Sequence, residues 1–456
     1  MASNSQAGRL GRRELLRRAM GGAAAAAAGG FVVPAAALGA KRSGRLAPSE
    51  RITIGMIGMG RQAVYANAPF FLNRLDAQVV AVCDVDAWRL DNAVKQVDGH
   101  YAKAGAAGAG ASAGKGCAGY RDYRQLLARE DVDAVMISTP DHWHVPQSLD
   151  AVRAGKDVCC EKPLTLSVAE GRVLADTARR YGRVFRTDSE FRSQWYFHRA
   201  CELVRNGRIG KLVRIETGVP RGDVGCKPQP VMPVPAELDY DLWLGPAPVA
   251  AYTVNRVHPV KGYGRPGWMR VRDYCDGMIC NWGTHLNDIA QWGNGTDRTG
   301  PVEAEGRGEW PTEGGLWNVL VAFDVRYKYA SGVELHYTMD RPYVRFEGTE
   351  GHIQADYGVG LGDVEPRSLL KEVIRPGEVH LPLMPEKTDF MAAIKTRGQT
   401  LADAEVGHRT NSLCHLGHIS ILLGRKLRWD PQAEQFVGDP EADRMLTRPL
   451  RSPWTL

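Results

Sequence analysis

A glycine-rich turn near residue 58 has the residue types that bind a dinucleotide phosphate. The run Gly58-Met59-Gly60-Arg61-Gln62-Ala63 follows a short apolar stretch at 52–57 and precedes a predicted helix that ends near residue 73. In this G-x-G-x-x-A pattern the first glycine permits a tight turn, the second lets the backbone approach a pyrophosphate, and the small last residue allows close helix packing. Amide N–H groups at the helix start would hold the phosphate charge. The dinucleotide-binding residues predicted here are Gly58, Gly60, Arg61 and Gln62.

A carboxylate follows where a dinucleotide would place its adenosine ribose. The run 79–83 is typical of a second strand, and Asp84 ends it, at roughly the 20-residue spacing from the glycine turn that such sites use. A carboxylate accepts hydrogen bonds from the ribose hydroxyls and repels a 2′-phosphate, which favours NAD over NADP. The alternative is that Asp84 caps the helix predicted at 88–97, although Asp86 is better placed for that role.

Two polar clusters stand at the ends of later predicted strands. The first is Thr139-Pro140-Asp141-His142-Trp143-His144, and the second is Glu161-Lys162-Pro163. Strands are predicted at 134–138, 157–160 and 183–186, and helices at 123–128, 145–154 and 166–179. Strands that alternate with helices form a parallel, doubly wound sheet, and ligands bind such sheets at the carboxyl ends of the strands. We therefore expect both clusters at one ligand-binding edge.

The composition is that of a globular protein with more than one domain. The chain has 456 residues, of which 44% are hydrophobic and 24% charged, and these values exclude a disordered, collagen-like or disulfide-scaffold chain. At roughly 100–200 residues per domain the length predicts two or three domains. The formal net charge is +6, and residues 1–40 carry five arginines against one glutamate. The small remaining charge gives no electrostatic reason to expect nucleic acid or an anionic membrane as a partner.

The N-terminal 40 residues have the pattern of an export signal. Arg12-Arg13 lie in a basic segment, a small-residue apolar stretch covers 19–38, and 35–40 reads A-A-A-L-G-A. A basic region, an apolar region and small residues before a cut describe a signal peptide, and the paired arginines resemble a twin-arginine (Tat) signal. The alternatives are a Sec signal or a membrane anchor. We expect the Tat machinery to export the chain, with 1–40 removed and a periplasmic or otherwise exported mature protein outside the membrane.

Two other sequence features indicate structure and not chemistry. Residues 103–119 are rich in glycine and alanine, which cannot pack a core, so this stretch is predicted to be a mobile surface insertion. The nine cysteines include no C-x-x-C pair and no zinc spacing, so no metal site is expected. A protein that folds in the reducing cytosol before export would need no disulfides.

Four motifs together resemble the glucose–fructose oxidoreductase / inositol dehydrogenase (Gfo/Idh/MocA) family. They are G-M-G-R-Q-A (58–63), C-D-V-D (83–86), S-T-P-D-H-W-H (138–144) and C-E-K-P-L (160–164). A fifth match covers 276–288, and the resemblance extends over essentially the whole chain after residue 50. The stretch 407–430 is similar to an exported bacterial branch of the family.

The resemblance implies an α/β fold: an N-terminal Rossmann domain with a doubly wound parallel sheet, then an α/β domain built on an open, mostly antiparallel sheet. We place the NAD-binding Rossmann domain at 50–187 and a substrate and oligomerisation domain at 188–456. The sequence agrees independently, since β-rich runs at 316–325, 333–339 and 344–346 are separated by turn residues. In this family one face of the second sheet commonly joins subunits, so a homodimer or homotetramer is expected.

By the same resemblance, Lys162 lies beside the nicotinamide and bonds the substrate hydroxyl. Its ammonium would stabilise a developing alkoxide, and a desolvated, cation-rich site would lower its pKa. Glu161 would orient the nicotinamide ribose or pair with Lys162, and a cis bond before Pro163 is implied. The remaining residues expected to line the cofactor pocket are Thr139, Pro140 and His144.

A histidine in the later motif is the best candidate for general acid–base chemistry. Imidazole titrates near neutral pH, which favours His285, but four residues earlier the family usually has an aspartate where this chain has Asn281. An amide can position a hydroxyl but cannot take its proton. Either His285 acts with Lys162, or Asp276 or Asp288 substitutes, or the chemistry is altered. Asp288 could fix the tautomer of His285 or could equally be a helix-surface carboxylate.

Aromatic residues and one arginine near the motifs suggest a substrate that carries sugar rings. Aromatic faces suit the C–H faces of sugars, and the indole N–H suits their hydroxyls, although each tryptophan taken alone favours a core position over a ligand contact. By resemblance, Arg192 reaches the active site after the sixth strand. The residues expected to contact substrate are Trp143, Arg192, Trp282, His285 and Asp288, with Trp195 and Trp268 as further stacking candidates.

These residues are consistent with three functions. The first is hydride transfer between NAD and a hydroxyl of a sugar, polyol or glycoside. The second is redox-neutral cleavage of a glycoside through transient oxidation, and the third is binding of nicotinamide or sugar without turnover, which Asn281 keeps open. Because an exported enzyme has no NAD pool to exchange with, we expect tightly bound NAD(H) that is reset within the catalytic cycle.

Overall fold

The computed structural model describes residues 50–106, 116–311 and 314–456. The predicted signal segment, 1–40, and the middle of the predicted insertion, 107–115, lie outside the described residues. Within the described ranges, no helix is both long and apolar enough to span a bilayer. All nine cysteines fall in those ranges, and none of them forms a disulfide.

The first half of the described chain forms a six-stranded parallel sheet. Its strands are β1 (Ile52–Ile57), β2 (Ala77–Cys83), β3 (Ala118–Tyr120), β4 (Ala134–Ile137), β5 (Asp157–Cys160) and β6 (Phe185–Thr187). They lie in the order β3-β2-β1-β4-β5-β6, and every neighbouring pair is parallel. Every residue of β4 and β5 is buried, as expected for a parallel sheet that helices cover on both faces. The predicted doubly wound parallel sheet is confirmed.

Helices connect these strands, and one region differs from the prediction. A π-helical turn (Ala63–Asn67) leads into α1 (Ala68–Leu72), followed by α2 (Ala87–Ala106), α3 (Tyr123–Leu127), α4 (His144–Arg153) and α5 (Val168–Arg180). The predicted insertion at 103–119 is too wide, because α2 continues into its first residues and β3 occupies its last ones. A β-carbon on Gly119 would lie 3.1 Å from the Val94 side chain. The glycine therefore lets α2 pack closely on the edge strand, which composition alone did not indicate.

The second half contains a nine-stranded mixed sheet. Its strands are β7 (Leu212–Pro220), β8 (Glu303–Glu309), β9 (Ala322–Lys328), β10 (Glu334–Asp340), β11 (Tyr343–Gly348), β12 (His352–Asp356), β13 (Gly360–Glu365), β14 (Leu427–Asp430) and β15 (Gln435–Phe436). Their order is β13-β12-β11-β7-β10-β9-β8-β14-β15. The pair β7 and β10 is parallel, and the other neighbours are antiparallel. The predicted open, mostly antiparallel sheet is confirmed.

One face of this second sheet is buried under helices. The helices of this half are α6 (Trp195–Arg205), α7 (Tyr240–Leu244), α8 (Met278–Asn281), α9 (Gly283–Asn294), α10 (Thr388–Thr396), α11 (Ala404–Leu423) and α12 (Pro440–Asp443). Short 3₁₀ turns lie at Asp141–Trp143, Glu190–Ser193, Gly267–Arg270, Arg367–Lys371 and Arg444–Leu446. Residues alternate between buried and exposed along β9 and β10. Phe197, Leu286 and Leu413, from α6, α9 and α11, join the apolar cluster of the buried face.

The strand predicted at 316–325 begins only at Ala322, as β9. The Val321 N–H donates to the Glu309 carbonyl of β8 at 2.9 Å, whereas backbone groups before it bond to loops. The Leu316 N–H donates to the Cys226 carbonyl at 3.1 Å, and the Asn318 N–H donates to the Arg270 carbonyl at 2.9 Å. Residues 316–321 therefore help to hold the loops near the candidate site.

Two later segments return to the first domain. Helix α10 buries Phe390 in the apolar cluster that lies against the first sheet. Near the C-terminus, Trp454 packs edge-on against Trp143, with ring centroids 4.7 Å apart. The predicted domain boundary after residue 187 stays a prediction: β6 ends at Thr187, but residues far beyond it complete the packing of the first domain.

Candidate active site

A cavity of about 510 Å³ lies at the carboxyl ends of the strands of the first sheet, where doubly wound sheets bind ligands. Residues of the second domain close it from the other side, among them Tyr263, Trp268 and Asn281. The predicted residues in its lining are Gly58, Gly60, Arg61, Gln62, Asp84, Thr139, Pro140, Trp143, His144, Glu161, Lys162 and Asn281. Of the other predicted residues, all within the described ranges, Trp268 is in the lining, and Trp195, Arg192, Trp282, His285 and Asp288 are not.

The two glycines of the predicted dinucleotide turn have different surroundings. Gly58 has a φ of +84°, and a β-carbon there would lie 2.8 Å from the Ser138 carbonyl. At Gly60 a β-carbon would meet no atom within 4 Å, so the main chain borders open space. Gly58 therefore shapes the turn, whereas Gly60 gives a ligand access to the backbone. This arrangement fits the pyrophosphate of a dinucleotide.

Asp84 braces the glycine turn from the end of β2. Its Oδ2 accepts a hydrogen bond from the Met59 N–H at 2.7 Å, and its Oδ1 accepts one from the Asp86 N–H at 2.9 Å. Burial raises the pKa of this carboxyl. Each carboxylate oxygen can accept a second hydrogen bond, so Asp84 can still accept one from a ribose hydroxyl while it holds the two main-chain N–H groups. The residue whose side chain bonds the start of α2 is Asp86, which accepts from the Arg89 N–H at 3.2 Å.

Lys162 extends from the end of β5 towards the second domain. Its Nζ donates to the backbone oxygen of Asn281 at 3.0 Å and to the side-chain Oδ1 at 3.4 Å. The peptide bond from Lys162 to Pro163 is cis, as the resemblance implied. Neither contact neutralises the ammonium, because both acceptors are uncharged amide oxygens. The lysine therefore brings a positive charge to the cavity wall.

Glu161 is buried beside a pair of opposite charges behind the cavity. Asn67 Nδ2 donates to its Oε1 at 2.8 Å. Burial, with the nearby charge of Asp188, raises the pKa of Glu161 to about 8. Asp188 itself pairs with Lys387, Nζ to Oδ2, at 2.8 Å. Glu161 therefore holds a proton at neutral pH, which favours a hydrogen bond to a ribose over an ion pair with Lys162.

The second histidine of the 139–144 cluster braces its neighbours. The ring nitrogens of His144 contact the carbonyl oxygens of Pro163 at 2.6 Å and Thr139 at 2.9 Å. Thr139 Oγ1 also donates to Gln147 Oε1 at 2.9 Å. These contacts tie the end of β4 to the turn that carries Lys162. Both predicted polar clusters are thus held at one edge of the sheet.

Trp143 packs as a core residue although it reaches the lining. Its Nε1 donates to the Trp243 carbonyl at 3.0 Å, and its ring meets Tyr123 and Trp454 edge-on at 5.6 and 4.7 Å. A β-carbon on Gly245 would lie 2.0 Å from the ring, so the backbone covers it closely. The prediction that a sugar stacks on Trp143 is wrong, because protein groups pack on its ring and the Trp243 carbonyl accepts its N–H hydrogen bond.

Arg192 and Asp288 form a buried ion pair instead of reaching the cavity. Arg192 donates from Nη2 to Asp288 Oδ1 at 2.6 Å and from Nε to Oδ2 at 2.9 Å. Ser189 Oγ donates to the same carboxylate at 2.7 Å. The prediction that Arg192 and Asp288 contact the substrate is therefore wrong, because the two side chains bind each other inside the protein. Since the carboxylate is held by Arg192, it does not fix the tautomer of His285.

Asp276 is likewise held by an arginine. Arg448 Nη2 donates to its two carboxylate oxygens at 2.6 and 2.7 Å. Asp276, Cys280 and His415 bring possible ligand atoms within 4.8 Å of one another, but the guanidinium already neutralises the carboxylate and would repel a metal cation. The same contact prevents Asp276 from replacing the carboxylate that is absent at Asn281.

His285 is buried in α9 against an aromatic ring. Its imidazole stacks on Phe191, with centroids 4.3 Å and planes 12° apart, and Trp282 meets it edge-on at 6.0 Å. Burial, together with the charge of Lys162, lowers the pKa of His285 well below its ordinary value. Its Nδ1 is buried and has no hydrogen-bond partner among the described residues. The ring is therefore neutral near pH 7, and a neutral ring keeps one nitrogen that can accept a proton.

Two parts of the cavity wall were not predicted as site residues. Asp141 lies in the lining, and burial raises the pKa of its carboxyl to about 7. Its position within the 139–144 cluster is the sequence signal that points to it. Arg89, His258 and Tyr263 line the wall near Asp84, and no local motif marks them, because the last two come from the second domain.

Comparison with known proteins places this site in a family. A model described as an oxidoreductase family, NAD-binding Rossmann fold, matches residues 52–189, and one described as an oxidoreductase family, C-terminal alpha/beta domain, matches residues 221–456. Both are Gfo/Idh/MocA models. The cavity lies at the edge of the NAD-binding sheet and the second domain closes it, so the predicted cofactor, NAD, agrees with the family.

Individual relatives match this chain over different lengths. A match in sequence covers about a third of the chain, whereas matches in structure cover most of it. A glycosyl hydrolase family 109 protein from Shewanella sp. (strain MR-4) is 33% identical over 150 residues, which are 33% of this chain and 31% of that protein. The match thus spans about a third of the relative's length. Two solved structures share the fold. The aldose-aldose oxidoreductase from Caulobacter crescentus has a TM-score of 0.60 and 17% identity, over 83% of this chain and 99% of that chain. The WlbA dehydrogenase from Chromobacterium violaceum, in complex with NADH and UDP-GlcNAcA, has a TM-score of 0.59 and 18% identity, over 84% and 96%.

The family models match both halves of the chain, and the two sheets and the cavity between them have the matching architecture. The glycine turn, the carboxylate that ends β2 and the lysine that follows β5 lie together at this cavity. The chain belongs to the Gfo/Idh/MocA family of oxidoreductases.

Proposed function

We propose that this chain transfers a hydride between NAD and a hydroxyl-bearing carbon of a sugar, polyol or glycoside. The observation that carries the proposal is the position of Lys162 on the wall of the NAD cavity, where its ammonium donates to two uncharged oxygens of Asn281. An ammonium has three donors, so one is left for a substrate hydroxyl. A sugar substrate is supported by the aldose-aldose oxidoreductase that shares the fold.

The first domain supplies the groups that would hold the cofactor. Gly58 and Gly60 give main-chain access for the pyrophosphate, Asp84 offers a carboxylate to the adenosine ribose, and Glu161 offers a protonated carboxyl to the nicotinamide ribose. When bound, NAD supplies the carbon that accepts or returns a hydride. NADP is disfavoured, because Asp84 would lie near its 2′-phosphate.

Three side chains divide the work on the substrate hydroxyl. Lys162 stabilises the negative charge that develops on the oxygen as the hydroxyl loses its proton. Asn281 positions the ammonium through its two oxygens and takes no proton itself. We assign the proton to His285, whose neutral ring keeps one nitrogen free to accept it; burial and the charge of Lys162 lower its pKa, so it is a weak base that readily gives the proton up again. Asp276 and Asp288 take no part, because arginines already bind both carboxylates.

Trp282 is the aromatic candidate for the face of a sugar ring. It follows Asn281 directly and is half-buried. Tyr357, which is 41% exposed, meets it edge-on with ring centroids 5.4 Å apart. Rings that stay accessible beside the catalytic groups suit the C–H faces of a sugar, whereas Trp143 is enclosed by protein.

A substrate screen tests this proposal. The protein is purified without added cofactor, and sugars, polyols and glycosides are offered while the absorbance of bound nicotinamide is followed, with Lys162→Ala and His285→Ala as controls. We expect at least one substrate to reduce bound NAD in the unaltered protein and neither variant to respond. A spectrum that no substrate changes would favour binding without turnover.

A second candidate function is redox-neutral cleavage of a glycoside. It is favoured by the partial identity with a glycosyl hydrolase family 109 protein. Such an enzyme would oxidise a sugar hydroxyl to a ketone, cleave the neighbouring glycosidic bond with net addition of water, so that the aglycone leaves as an alcohol, and return the hydride to the ketone of the same sugar. Product analysis separates the two functions: a cleaved glycoside with no net ketone indicates the second, and an accumulating ketone indicates the first.

We further propose that the chain is exported through the Tat machinery, that its cofactor stays bound and that it forms a homodimer or homotetramer. The paired residues Arg12 and Arg13 support export, and an exported enzyme needs a cofactor that it does not exchange. Replacing both arginines by lysine should keep the protein in the cytoplasm. Denaturing the exported protein should release stoichiometric nicotinamide, and its solution mass should be two or four times that of one chain.

A further inference from the structure

A loop of the second domain crosses the cavity at the end where Asp84 lies. We call residues 258–266 the strap. The Trp268 N–H donates to the Val257 carbonyl at 3.2 Å and so closes the loop at its base. A β-carbon on Gly267 would lie only 1.9 Å from the Asn255 carbonyl oxygen. The base of the strap is therefore tightly built, and the loop above it projects towards the first domain.

Two arginines of the first domain hold the strap by its backbone. Arg89, which is buried, donates from Nη2 to the Pro259 carbonyl at 2.9 Å and from Nη1 to the Gly262 carbonyl at 3.1 Å. Arg61 Nη1 donates to the Tyr263 carbonyl at 3.1 Å. Hydrogen bonds from a charged donor are stronger than those between neutral groups. These three contacts bind successive parts of the strap to the wall of the NAD site.

Aromatic packing adds to these hydrogen bonds. The Tyr263 ring lies 5.5 Å from the Trp88 ring and 5.8 Å, edge-on, from the Tyr65 ring. The Arg89 guanidinium lies over the Tyr263 ring, with its Cζ 5.3 Å from the centroid, which is a cation–π distance. The strap is therefore held by one of its own side chains, Tyr263, as well as by its backbone carbonyls.

The first residue of the strap is held as well. His258 Nε2 lies 3.1 Å from Asp86 Oδ2. Next to Asp86, the Ala87 N–H donates to the Glu237 carbonyl of the second domain at 2.9 Å. Two segments of the second domain therefore meet the junction of β2 and α2. In an NAD-binding Rossmann fold, this junction borders the adenosine ribose.

We propose that the strap retains NAD by covering its adenosine half, so that the cofactor leaves only after Arg89 and Arg61 release the loop. His258, Tyr263 and the residues that follow it line the same cavity as Gly60 and Asp84. The strap therefore borders the space that the adenosine would fill. The proposal rests on the proposed function only for the binding of NAD, and it makes no use of the substrate or its chemistry.

Replacement of Arg89 tests the strap directly. The full-length protein and its Arg89→Ala variant are loaded with NADH and mixed with excess NAD, and NADH release is followed by fluorescence. We expect release to be about tenfold faster or more in the variant, because two charge-assisted hydrogen bonds to the strap are lost. The matched control is Arg129→Ala, whose guanidinium pairs with Asp131 at 2.6 Å away from the cavity. It should release NADH at the unaltered rate.

A second variant and a second measurement guard against a folding defect. Tyr263→Ala keeps both Arg89 contacts to strap carbonyls and should accelerate release by a smaller factor. Trypsin should cut after the exposed Lys261 faster in Arg89→Ala than in the Arg129→Ala control, with melting temperatures showing that all variants are folded. Equal release rates in folded variants would overturn the proposal for the strap alone, whereas failure of the unaltered protein to bind nicotinamide would overturn the proposed function itself.

Discussion

The two ends of the NAD cavity are built in different ways. At the Asp84 end the main chain sets the geometry. Gly58, with a φ of +84°, forms the turn, and the Asp84 carboxylate accepts hydrogen bonds from main-chain N–H groups. At the Lys162 end, side chains from distant parts of the sequence meet. Lys162 contacts Asn281, and other side chains from distant positions form buried ion pairs, such as Arg192 with Asp288.

The two ends of the cavity should therefore respond to different kinds of substitution. A turn set by backbone geometry is sensitive to a single added carbon atom. A site made from buried side chains is sensitive to the loss of one partner, because an ion left unpaired in the interior is costly. Substitutions should therefore separate the two ends by their effects on catalysis, stability, cofactor affinity and pH dependence.

The largest effect should come from Lys162→Ala at the catalytic end. Turnover of whichever substrate the screen identifies should fall about a thousandfold, because the variant lacks the cation that stabilises the developing alkoxide. Nicotinamide content, measured after denaturation, should be unchanged. Lys211→Ala, which alters an exposed lysine of the second domain, is the matched control and should retain full activity. A Lys162→Ala variant that kept full turnover would contradict the catalytic role of this end, and one that lost its nicotinamide would show that this end also holds the cofactor.

Next in size should be the loss of a buried ion pair. Arg192→Leu leaves Asp288 buried without its cation, and we expect the free energy of unfolding to fall by about 3–5 kcal/mol. Arg298→Leu is the control, since Arg298 pairs with Asp403 at 2.8 Å while its side chain is 52% exposed, and loss of an exposed pair costs less than about 1 kcal/mol. Chemical denaturation measures both. Similar losses in the two variants would contradict the buried bracing role of Arg192.

The two glycines test the Asp84 end. Gly58→Ala should destabilise the protein by about 2 kcal/mol, because a residue with a side chain is strained at positive φ and its β-carbon would lie 2.8 Å from the Ser138 carbonyl. Gly60→Ala should leave the unliganded melting temperature unchanged but weaken NAD binding about tenfold, through loss of close backbone contact. Calorimetry on both variants checks this. Equal destabilisation by the two would refute the division of roles.

The smallest effect should be a change in pH dependence at Glu161. Its pKa is raised from 4.5 to about 8 in the folded protein, so the stability it contributes is present below pH 4.5 and is lost as pH rises through 8. The unaltered protein should therefore lose stability between pH 5 and 8, and Glu161→Gln should lose at least about 1 kcal/mol less over that range, the equivalent of a single pKa unit. Melting curves at the two pH values measure it. Parallel losses in both proteins would show that Glu161 does not titrate there.

The sequence predicts the Asp84 end better than the Lys162 end, for a physical reason. A glycine turn and a carboxylate at a strand end are local patterns, so the parallel sheet and several residues that line this end of the cavity could be predicted. The pairing of Arg192 with Asp288 depends on contacts between residues about a hundred positions apart. Nothing in the local sequence of either residue distinguishes an active-site contact from a buried ion pair.

The same reasoning explains the remaining errors. Trp143 was predicted to contact a sugar because it stands in a polar motif, but its neighbour Trp454 comes from the far end of the chain. The Gly/Ala-rich stretch was predicted to be mobile throughout, yet its last residues form β3. There the absence of a side chain at Gly119 permits close packing, whereas composition records only low hydrophobicity.

The packing of Trp454 on Trp143 also bears on how the chain is made. Ribosomes synthesise the first sheet long before the last residues, and domains often begin to fold as they emerge. Until Trp454 has been synthesised, the Trp143 ring lacks one of its edge-on partners. The packing of the first domain is therefore completed only by a residue that lies about three hundred positions later in the chain.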